Sequence, residues 1–164
     1  MKKLNPLLLL CSGGLALWVL RASAEPPYIN ATDNKIFAQT LLNEVVKENP
    51  DLLVVGFHGV LPGAKDSTVI ASNLNRVGKK DDDDDVAAAK EAKTICGPRL
   101  DSPNKFEVEM PLKDASGKVI GALSLIFPYH PGDDEVPIFA RSVALRNALA
   151  KRISSFAALI RANE

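Results

Sequence analysis

The stretch Phe106-Glu107-Val108-Glu109-Met110-Pro111-Leu112 alternates apolar and polar side chains. Because successive side chains of a strand point to opposite faces of a sheet, this alternation predicts a strand whose apolar face covers a core. The core-facing residues would be Phe106, Val108, Met110 and Leu112. Asp114-Ala115-Ser116-Gly117 supplies turn residues, and the stretch from Lys118 to Phe127 is predicted to return as the partner strand. The centre of the fold is therefore predicted to be an antiparallel hairpin.

A helix and a second pair of strands are predicted before this hairpin. Apolar residues recur every four positions in a helix that Thr32 or Asp33 can cap and that Asn49-Pro50 ends. The continuous apolar run from Leu52 to Val60 predicts a buried strand, and Thr68 to Ser72 predicts the next one. These elements would extend the sheet on one side.

Five consecutive acidic residues, Asp81 to Asp85, precede the helix-forming stretch Val86 to Lys93. A run of aspartates suggests a calcium site, but calcium loops space their ligands at alternate positions around a glycine, and that spacing is absent. Acidic residues at the start of a helix and basic residues at its end match the helix dipole. We therefore interpret the run as the start of a central helix that stops at Gly97-Pro98.

The last predicted helix follows Pro131-Gly132 and carries apolar residues from Ile138 to Phe156 on one side. The predicted order is helix, two strands, helix, two strands, helix. This order predicts an α+β domain with an antiparallel sheet, a long N-terminal helix, a central helix between two hairpins and a C-terminal helix.

The first 24 residues have the pattern of a signal peptide. Basic Met1-Lys2-Lys3 precedes the apolar stretch Leu7 to Leu20, and Ala22-Ser23-Ala24 supplies a cleavage site. We expect a periplasmic or secreted domain, residues 25–164, with no stable membrane span after processing. A retained N-terminal anchor is the alternative.

The composition excludes some function classes. The chain has 164 residues, with 20 Lys+Arg and 20 Asp+Glu, and 46% of its residues are hydrophobic. This suits a soluble domain and lacks the basic excess of a nucleic-acid-binding protein. Removal of residues 1–24 would leave 17 basic and 20 acidic residues, a formal net charge of −3.

Two stretches resemble the extracytoplasmic PAS-like, or single Cache, sensor domains of bacterial signalling proteins. Ala71 to Lys79 is similar to the S-N/H-P-x-x-R-I-G-K stretch of periplasmic organic-acid sensors. Pro111 to Gly121 resembles the P-V-x-D-x-x-G-x-x-I-G hairpin that closes the same domains. The resemblance spans residues 32–129 and agrees with the predicted order of helices and strands.

The resemblance implies a pocket for a small molecule, of unknown identity, between the sheet and the central helix. Arg76 and Lys79 match the basic positions of those sensors, and Gly78 matches the glycine at which the backbone turns. We predict Arg76 and Lys79 as ligand-binding residues, together with Asn73, His58 and Tyr129. For His58, a hydrogen-bonded core or edge position is the favoured alternative.

The sequence departs from the organic-acid sensors in the charge of this region. Asp81 to Asp85 would repel an anion and could pair with Arg76 and Lys79. Glu107 stands where those sensors carry a second ligand arginine. A neutral, zwitterionic or cationic ligand is therefore at least as well supported as a dicarboxylate.

No enzyme, metal centre or cofactor is predicted. His58 and His130 are the only histidines, and Cys96 would be the only cysteine of the processed chain, expected as a small buried side chain. The leading hypothesis is an exported, non-enzymatic sensor domain that acts through a partner protein. The alternative is a structural or protein-interaction module whose pocket is filled by side chains and whose terminal helices form a homodimer.

Overall fold

The computed structural model describes residues 29–163. The predicted signal peptide, residues 1–24, lies outside the described residues. The elements follow the chain in the order α1 (Phe37–Glu48), β1 (Val54–Gly59), β2 (Thr68–Ser72), α2 (Asp83–Glu91), β3 (Ile95–Arg99), β4 (Ser102–Lys113), β5 (Val119–Pro128), α3 (Val136–Ala150) and α4 (Phe156–Leu159).

The five strands form one sheet in the order β2-β1-β5-β4-β3, and every neighbouring pair is antiparallel. The long central strands β4 and β5 are the hairpin predicted from residues 106–127, and the β1–β2 hairpin pairs with it through β5. This architecture confirms the predicted α+β class and the antiparallel sheet.

One face of the sheet carries the hydrophobic core. The alternating residues Phe106, Val108, Met110 and Leu112 are 0–1% exposed, as the sequence pattern predicted. They belong to one apolar cluster with residues of α1, α3 and α4, among them Leu41, Leu42, Leu149 and Leu159. Burial of this apolar surface is the main favourable contribution to folding.

The opposite face of the sheet is covered by α2, which packs on β4 and β5. The alternation that sends Val108 and Leu125 into the core sends their neighbours Glu109 and Ser124 to this second face. Both polar residues are nevertheless buried, at 5% and 6% exposure. The sheet therefore has an apolar face under α1 and α3 and a buried polar face under α2.

The strand β3 corrects the sequence analysis, which predicted a helix end at Gly97-Pro98 and only four strands. Residues 95–99 instead form an edge strand that pairs with β4, with Pro98 opposite Phe106. A proline is tolerated there because an edge strand has hydrogen-bonding partners on one side only. The preceding helix α2 ends at Glu91, and Ala92 adopts a left-handed conformation with a φ of 54°.

The boundaries of the terminal helices also differ from the prediction. Ile36, rather than Thr32 or Asp33, precedes α1, and no side chain caps that helix. The single final helix predicted through Phe156 is divided into α3 and α4. Ser155 begins the second of these by accepting a hydrogen bond from the Ala158 amide at 3.1 Å. Serine at this position favours a new helix start over continuation of the first helix.

Candidate functional site

A cavity of about 270 Å³ lies between the polar face of the sheet, the start of α2 and the loop that precedes α2. Its buried side is formed by His58 of β1, Glu109 of β4 and Ser124 of β5. Its solvent side includes the exposed residues Arg76 and Lys79. We call the buried side the floor of the cavity and the solvent side the rim.

The floor is organised around the imidazole of His58, which is 6% exposed. Its Nδ1 lies 2.8 Å from Asp81 Oδ1 and 3.3 Å from Asp85 Oδ1. Its Nε2 lies 2.8 Å from the hydroxyl oxygen of Ser124. His58, Asp81, Asp85, Glu109 and Ser124 form what we call the His58 cluster.

Ser124 connects the two sides of this cluster. Its Oγ lies 2.6 Å from each carboxylate oxygen of Glu109 and 3.1 Å from Asp85 Oδ1. The strand register explains the convergence, because Glu109 and Gly56 stand opposite Ser124 on its two neighbouring strands. A hydroxyl group donates only one proton, so it cannot satisfy all these oxygen atoms at once.

Burial gives the acidic groups of the floor unusual titration properties. Burial raises the pKa of the Glu109 carboxyl well above its ordinary value, and the negative charge of Asp85 raises it further. Burial also raises the pKa of Asp85, although the nearby His58 opposes that shift. The pKa of Glu107, at the side of the cavity, is raised chiefly by burial as well. Protonation of these carboxyl groups, or a positive charge beside them, is therefore favourable.

The start of α2 places Asp85 in the cluster. The Asp85 amide donates to Asp82 Oδ1 at 3.3 Å, and the Asp82 amide donates to Asp85 Oδ2 at 3.4 Å, so the two residues form a capping box. The interpretation of the acidic run as a helix start is therefore correct for Asp82 to Asp85. Asp85 additionally directs Oδ1 toward Ser124, and Asp81 lies beside His58.

The rim is formed by the loop that carries Arg76 and Lys79. Gly78 has a φ of 91°, which glycine adopts without strain. The Gly78 amide donates to the Val69 carbonyl at 2.8 Å, and the Val69 amide donates to the Lys79 carbonyl at 2.9 Å. These bonds fold the loop back along β2 and so place the backbone of Arg76 and Lys79 beside the cavity.

Arg76 and Lys79 do not pair with the acidic run, contrary to one expectation from the sequence. Among residues 29–163, no carboxylate lies within ion-pair distance of either side chain. Asp81 and Asp85 face His58 instead. Both cations of the rim thus remain available to a ligand.

A further cation of the cavity, Arg99 of β3, was missed because that strand was not predicted. Its Nε and Nη2 donate to the two carboxylate oxygens of Asp101 at 2.8 and 2.9 Å, and its Nη1 donates to Glu107. Glu107, which the sequence placed at a ligand position of the family, lines the cavity and is partnered by Arg99. Arg99 is therefore already neutralised by its neighbours.

Two predicted ligand-binding residues lie away from this cavity and stabilise the framework. Asn73 donates to the Leu53 carbonyl at 3.1 Å and accepts from the Val55 amide at 2.9 Å. Tyr129 is 5% exposed, its ring packs against Phe106, and its hydroxyl donates to Glu135 at 3.2 Å. Neither residue is among those that line the cavity.

The structure also corrects the expected burial of Cys96. This residue lies opposite Val108 on the edge strand β3 and is exposed, whereas Ile95, Gly97 and Arg99 on the other face of that strand are half-buried. The expectation of a small buried side chain is therefore wrong.

Glu109 and Ser124 of the His58 cluster were not singled out from the sequence, and Asp81 and Asp85 were noted only as members of the acidic run. The available signal was strand alternation: Glu109 and Ser124 occupy the positions between core residues, and Gly56 and His58 do the same on β1. Alternation identifies the face on which a residue lies, but the strand order and register decide which residues meet there.

The distances from Ser124 to His58 and from His58 to Asp81 resemble those of a hydrolytic triad. The surroundings do not suit that chemistry. An attacking serine needs hydrogen-bond donors for the negative oxygen that develops on the substrate, and the groups beside Ser124 are the carboxylates of Glu109 and Asp85. The arrangement is better suited to binding a positive charge.

No protein-family model and no curated protein matches the chain. Among solved structures, the free methionine-R-sulfoxide reductase of Neisseria meningitidis is similar, with a TM-score of 0.53 and 20% identity over 78% of this chain and 82% of that chain. A structure of a GAF domain has a TM-score of 0.49 and 14% identity, over 77% and 81% of the two chains. The C-terminal domain of the E. coli transcriptional regulator KdgR has a TM-score of 0.47 and 13% identity, over 74% and 96%.

At these identities the likeness concerns the fold. The chain has an α+β fold with a five-stranded antiparallel sheet, and it is similar in fold to the reductase of Neisseria meningitidis. The Cache subclass is not distinguished by these structures. Within residues 29–163, no helix has the length and apolar character needed to cross a membrane.

Proposed function

We propose that the chain is an exported, non-enzymatic GAF/PAS-like domain that binds a small polar molecule between the sheet and α2. It would take part in sensing through a partner protein. The observation that supports this proposal is a cavity of about 270 Å³ with charges of opposite sign on its two sides. Arg76 and Lys79 lie at the rim without carboxylate partners among the described residues, and Asp85 and Glu109 are buried at the floor.

The charges determine the class of ligand. An anionic group of the ligand would bind at the rim, where an arginine and a lysine can both donate hydrogen bonds to it. The floor would accept a positively charged or proton-donating group. A dicarboxylate with an acidic group at each end is disfavoured, because one end would meet the buried acids.

The open volume beside Arg76 and Lys79 favours ligand binding over the alternative, a module whose pocket is filled by side chains and which dimerises through its terminal helices. The non-enzymatic assignment is supported by the acidic surroundings of Ser124. The reductase from Neisseria meningitidis shares the fold, so activity assays belong among the tests.

The ligand-binding test is a thermal-shift screen of the protein expressed from the full chain. The panel contains amino acids, amino-sulfonates, mono- and dicarboxylates and inorganic phosphate. We expect a compound with an anionic group to stabilise the protein. The double variant Arg76→Ala/Lys79→Ala should weaken its affinity about tenfold or more, since hydrogen bonds to charged groups are each worth about 1.5–3 kcal/mol.

Lys47→Ala/Lys65→Ala is the matched control, because it removes two exposed positive charges that do not line the cavity. Binding that is equally strong in both double variants would contradict the rim assignment, and the absence of any ligand would contradict the function.

Export rests on the sequence of residues 1–24. Its test is the intact mass of the exported protein, which should begin at Glu25.

A further inference from the structure

The floor of the cavity brings together ligand atoms of the kinds that bind transition metals. His58, Asp85 and Glu109 each offer one such atom, and these atoms lie within 4.8 Å of one another. All three residues are buried, and they come from β1, α2 and β4. The strands on which His58 and Glu109 lie are fixed by their pairing with β5, so the arrangement is held by the sheet.

Asp81 occupies the position of an outer carboxylate behind the histidine. Its Oδ1 lies 2.8 Å from His58 Nδ1, so a proton on Nδ1 leaves the lone pair of Nε2 directed toward Ser124. In metal sites such a carboxylate fixes the tautomer and the orientation of the ligating histidine. With Nδ1 held by Asp81, Nε2 is the nitrogen that could bind a cation in place of its contact with Ser124.

A second observation points independently to a missing positive charge. The other carboxylate oxygen of Asp81, Oδ2, is buried and has no hydrogen-bond partner among the described residues. The side chain of Asp81 is 0% exposed. A buried carboxylate oxygen without a partner is costly. Two carboxylates contact the imidazole here, and a third contacts Ser124 beside it. The single proton of Ser124 does not compensate this charge.

We propose that His58, Asp85 and Glu109 bind a divalent transition-metal ion at the floor of the cavity, with Asp81 holding the imidazole of His58. One imidazole and two carboxylates suit Zn²⁺ or Mn²⁺, whereas Ca²⁺ prefers about six to eight oxygen ligands. Glycine at position 56 leaves the space beside the imidazole free, because a Cβ atom there would lie 2.8 Å from His58 Nε2. Ser124 Oγ contacts all three ligand residues, so the ion would displace that hydroxyl group or take it as a further ligand. The ion would occupy the part of the floor where the proposed function otherwise places a positively charged or proton-donating group of the ligand.

This inference rests on the cavity of the proposed function but needs no organic ligand. Protein expressed from the full chain is stripped of metal with a chelator. It is then titrated with Zn²⁺ and Mn²⁺ by calorimetry and with Co²⁺ by visible absorption. We expect one ion per chain, and we expect Asp85→Asn and Glu109→Gln each to weaken binding at least about tenfold. Asp81→Asn should weaken binding about 10- to 100-fold while the Co²⁺ spectrum keeps its ligand set.

Asp83→Asn is the matched control, because Asp83 belongs to the same acidic run and to the first turn of α2 but is exposed. Metal affinity should not change in this variant. The proposal is overturned if the wild-type protein binds no ion, or if Asp83→Asn weakens binding as much as Asp85→Asn. Substitutions on two segments, the start of α2 and β4, keep the test informative when one variant fails to fold.

The rim variant Arg76→Ala/Lys79→Ala separates the two proposals. It should retain the metal and lose the organic ligand. If organic ligands bind but no ion does, the metal inference fails while the proposed function stands, with a cationic group of the ligand at the floor. If the ion binds but no organic molecule does, the proposed function fails instead.

Discussion

Gly56 and His58 lie two residues apart on the polar face of β1, and both line the cavity. A side chain at position 56 would enter the space beside the imidazole, since a Cβ atom there would lie 2.8 Å from His58 Nε2 and 3.4 Å from Ser124 Cβ. The absence of a side chain at this residue is thus a requirement of the site. Alternation placed Gly56 on the same face as His58, but only the tertiary structure shows that a side chain there would meet the imidazole.

We predict that Gly56→Ala displaces the imidazole of His58 from Ser124. The added methyl group should destabilise the protein by about 1–3 kcal/mol, the usual cost of overpacking, and should weaken ligand and metal binding. Urea unfolding and the NMR signals of the His58 ring would measure the two effects. Gly97→Ala is the control, because no heavy atom outside the chain neighbours lies within 4 Å of a Cβ placed there. Unchanged ring signals in Gly56→Ala would contradict the prediction.

The start of α2 is where a feature of the sequence serves two purposes. The acidic run begins the helix, as its composition predicted, and it also contributes Asp81 and Asp85 to the His58 cluster. The Asp82 side chain accepts the Asp85 amide and so fixes the residue that faces Ser124. Stability of the helix start and geometry of the site are therefore linked.

We predict that Asp82→Ala destabilises the protein by about 1 kcal/mol, the usual cost of losing a helix cap, in urea unfolding. Asp82→Ser should recover most of that loss, because serine also accepts a hydrogen bond at this position. If the serine variant is as unstable as the alanine variant, the capping box does not stabilise α2. Hydrogen exchange of the Asp85 amide would report the same effect locally.

Alternation in the sequence predicted the strand β4 but not the strand β3. The alternation in residues 106–112 predicted β4 and its core face correctly, because each core position in it is a large apolar residue. The strand β3 has no such pattern and contains Gly97 and Pro98. It exists because the edge of β4 that faces away from β5 is free to pair, which is a property of the assembled sheet.

At the scale of the whole molecule, α3 is tied to the segment between α1 and β1 by a polar contact. The guanidinium of Arg141 donates to both carboxylate oxygens of Asp51 and to Asn49, and it lies 5.5 Å from the centre of the Phe127 ring. These hydrogen bonds lower the pKa of Asp51 from its ordinary value of 3.8. The contact closes the layer of helices over the apolar face of the sheet.

The lowered pKa of Asp51 predicts a pH dependence with a definite sign. The stabilisation by this contact should be fully present above pH 3.8 and should disappear as the pH falls through the lowered pKa of the folded state. Both side chains are more than a third exposed, so we expect less than about 1 kcal/mol at pH 7. A double-mutant cycle of Asp51→Asn and Arg141→Gln, measured by urea unfolding between pH 7 and 3, tests this. A coupling energy that grows on acidification would contradict it.

The sequence by itself determined the hairpin β4–β5, the apolar residues of its core face, the start of α2 and the α+β class. These features follow from local periodicity and capping, which depend on residues near one another in the chain. It also indicated His58, Arg76 and Lys79, all of which line the cavity. The sequence also allowed Arg76 and Lys79 to pair with the acidic run. This pairing is not observed, because Asp81 and Asp85 contact the buried side chain of His58 instead.

Only the tertiary structure decided which polar residues meet. The His58 cluster joins residues from β1, α2, β4 and β5 that are up to 66 positions apart in the chain. Alternation places Glu109 and Ser124 on the second face of the sheet, but the antiparallel register sets them opposite each other, and the packing of α2 buries them with Asp85. The charge of the cavity floor is therefore a property of strand register and helix packing, which no local stretch of sequence encodes.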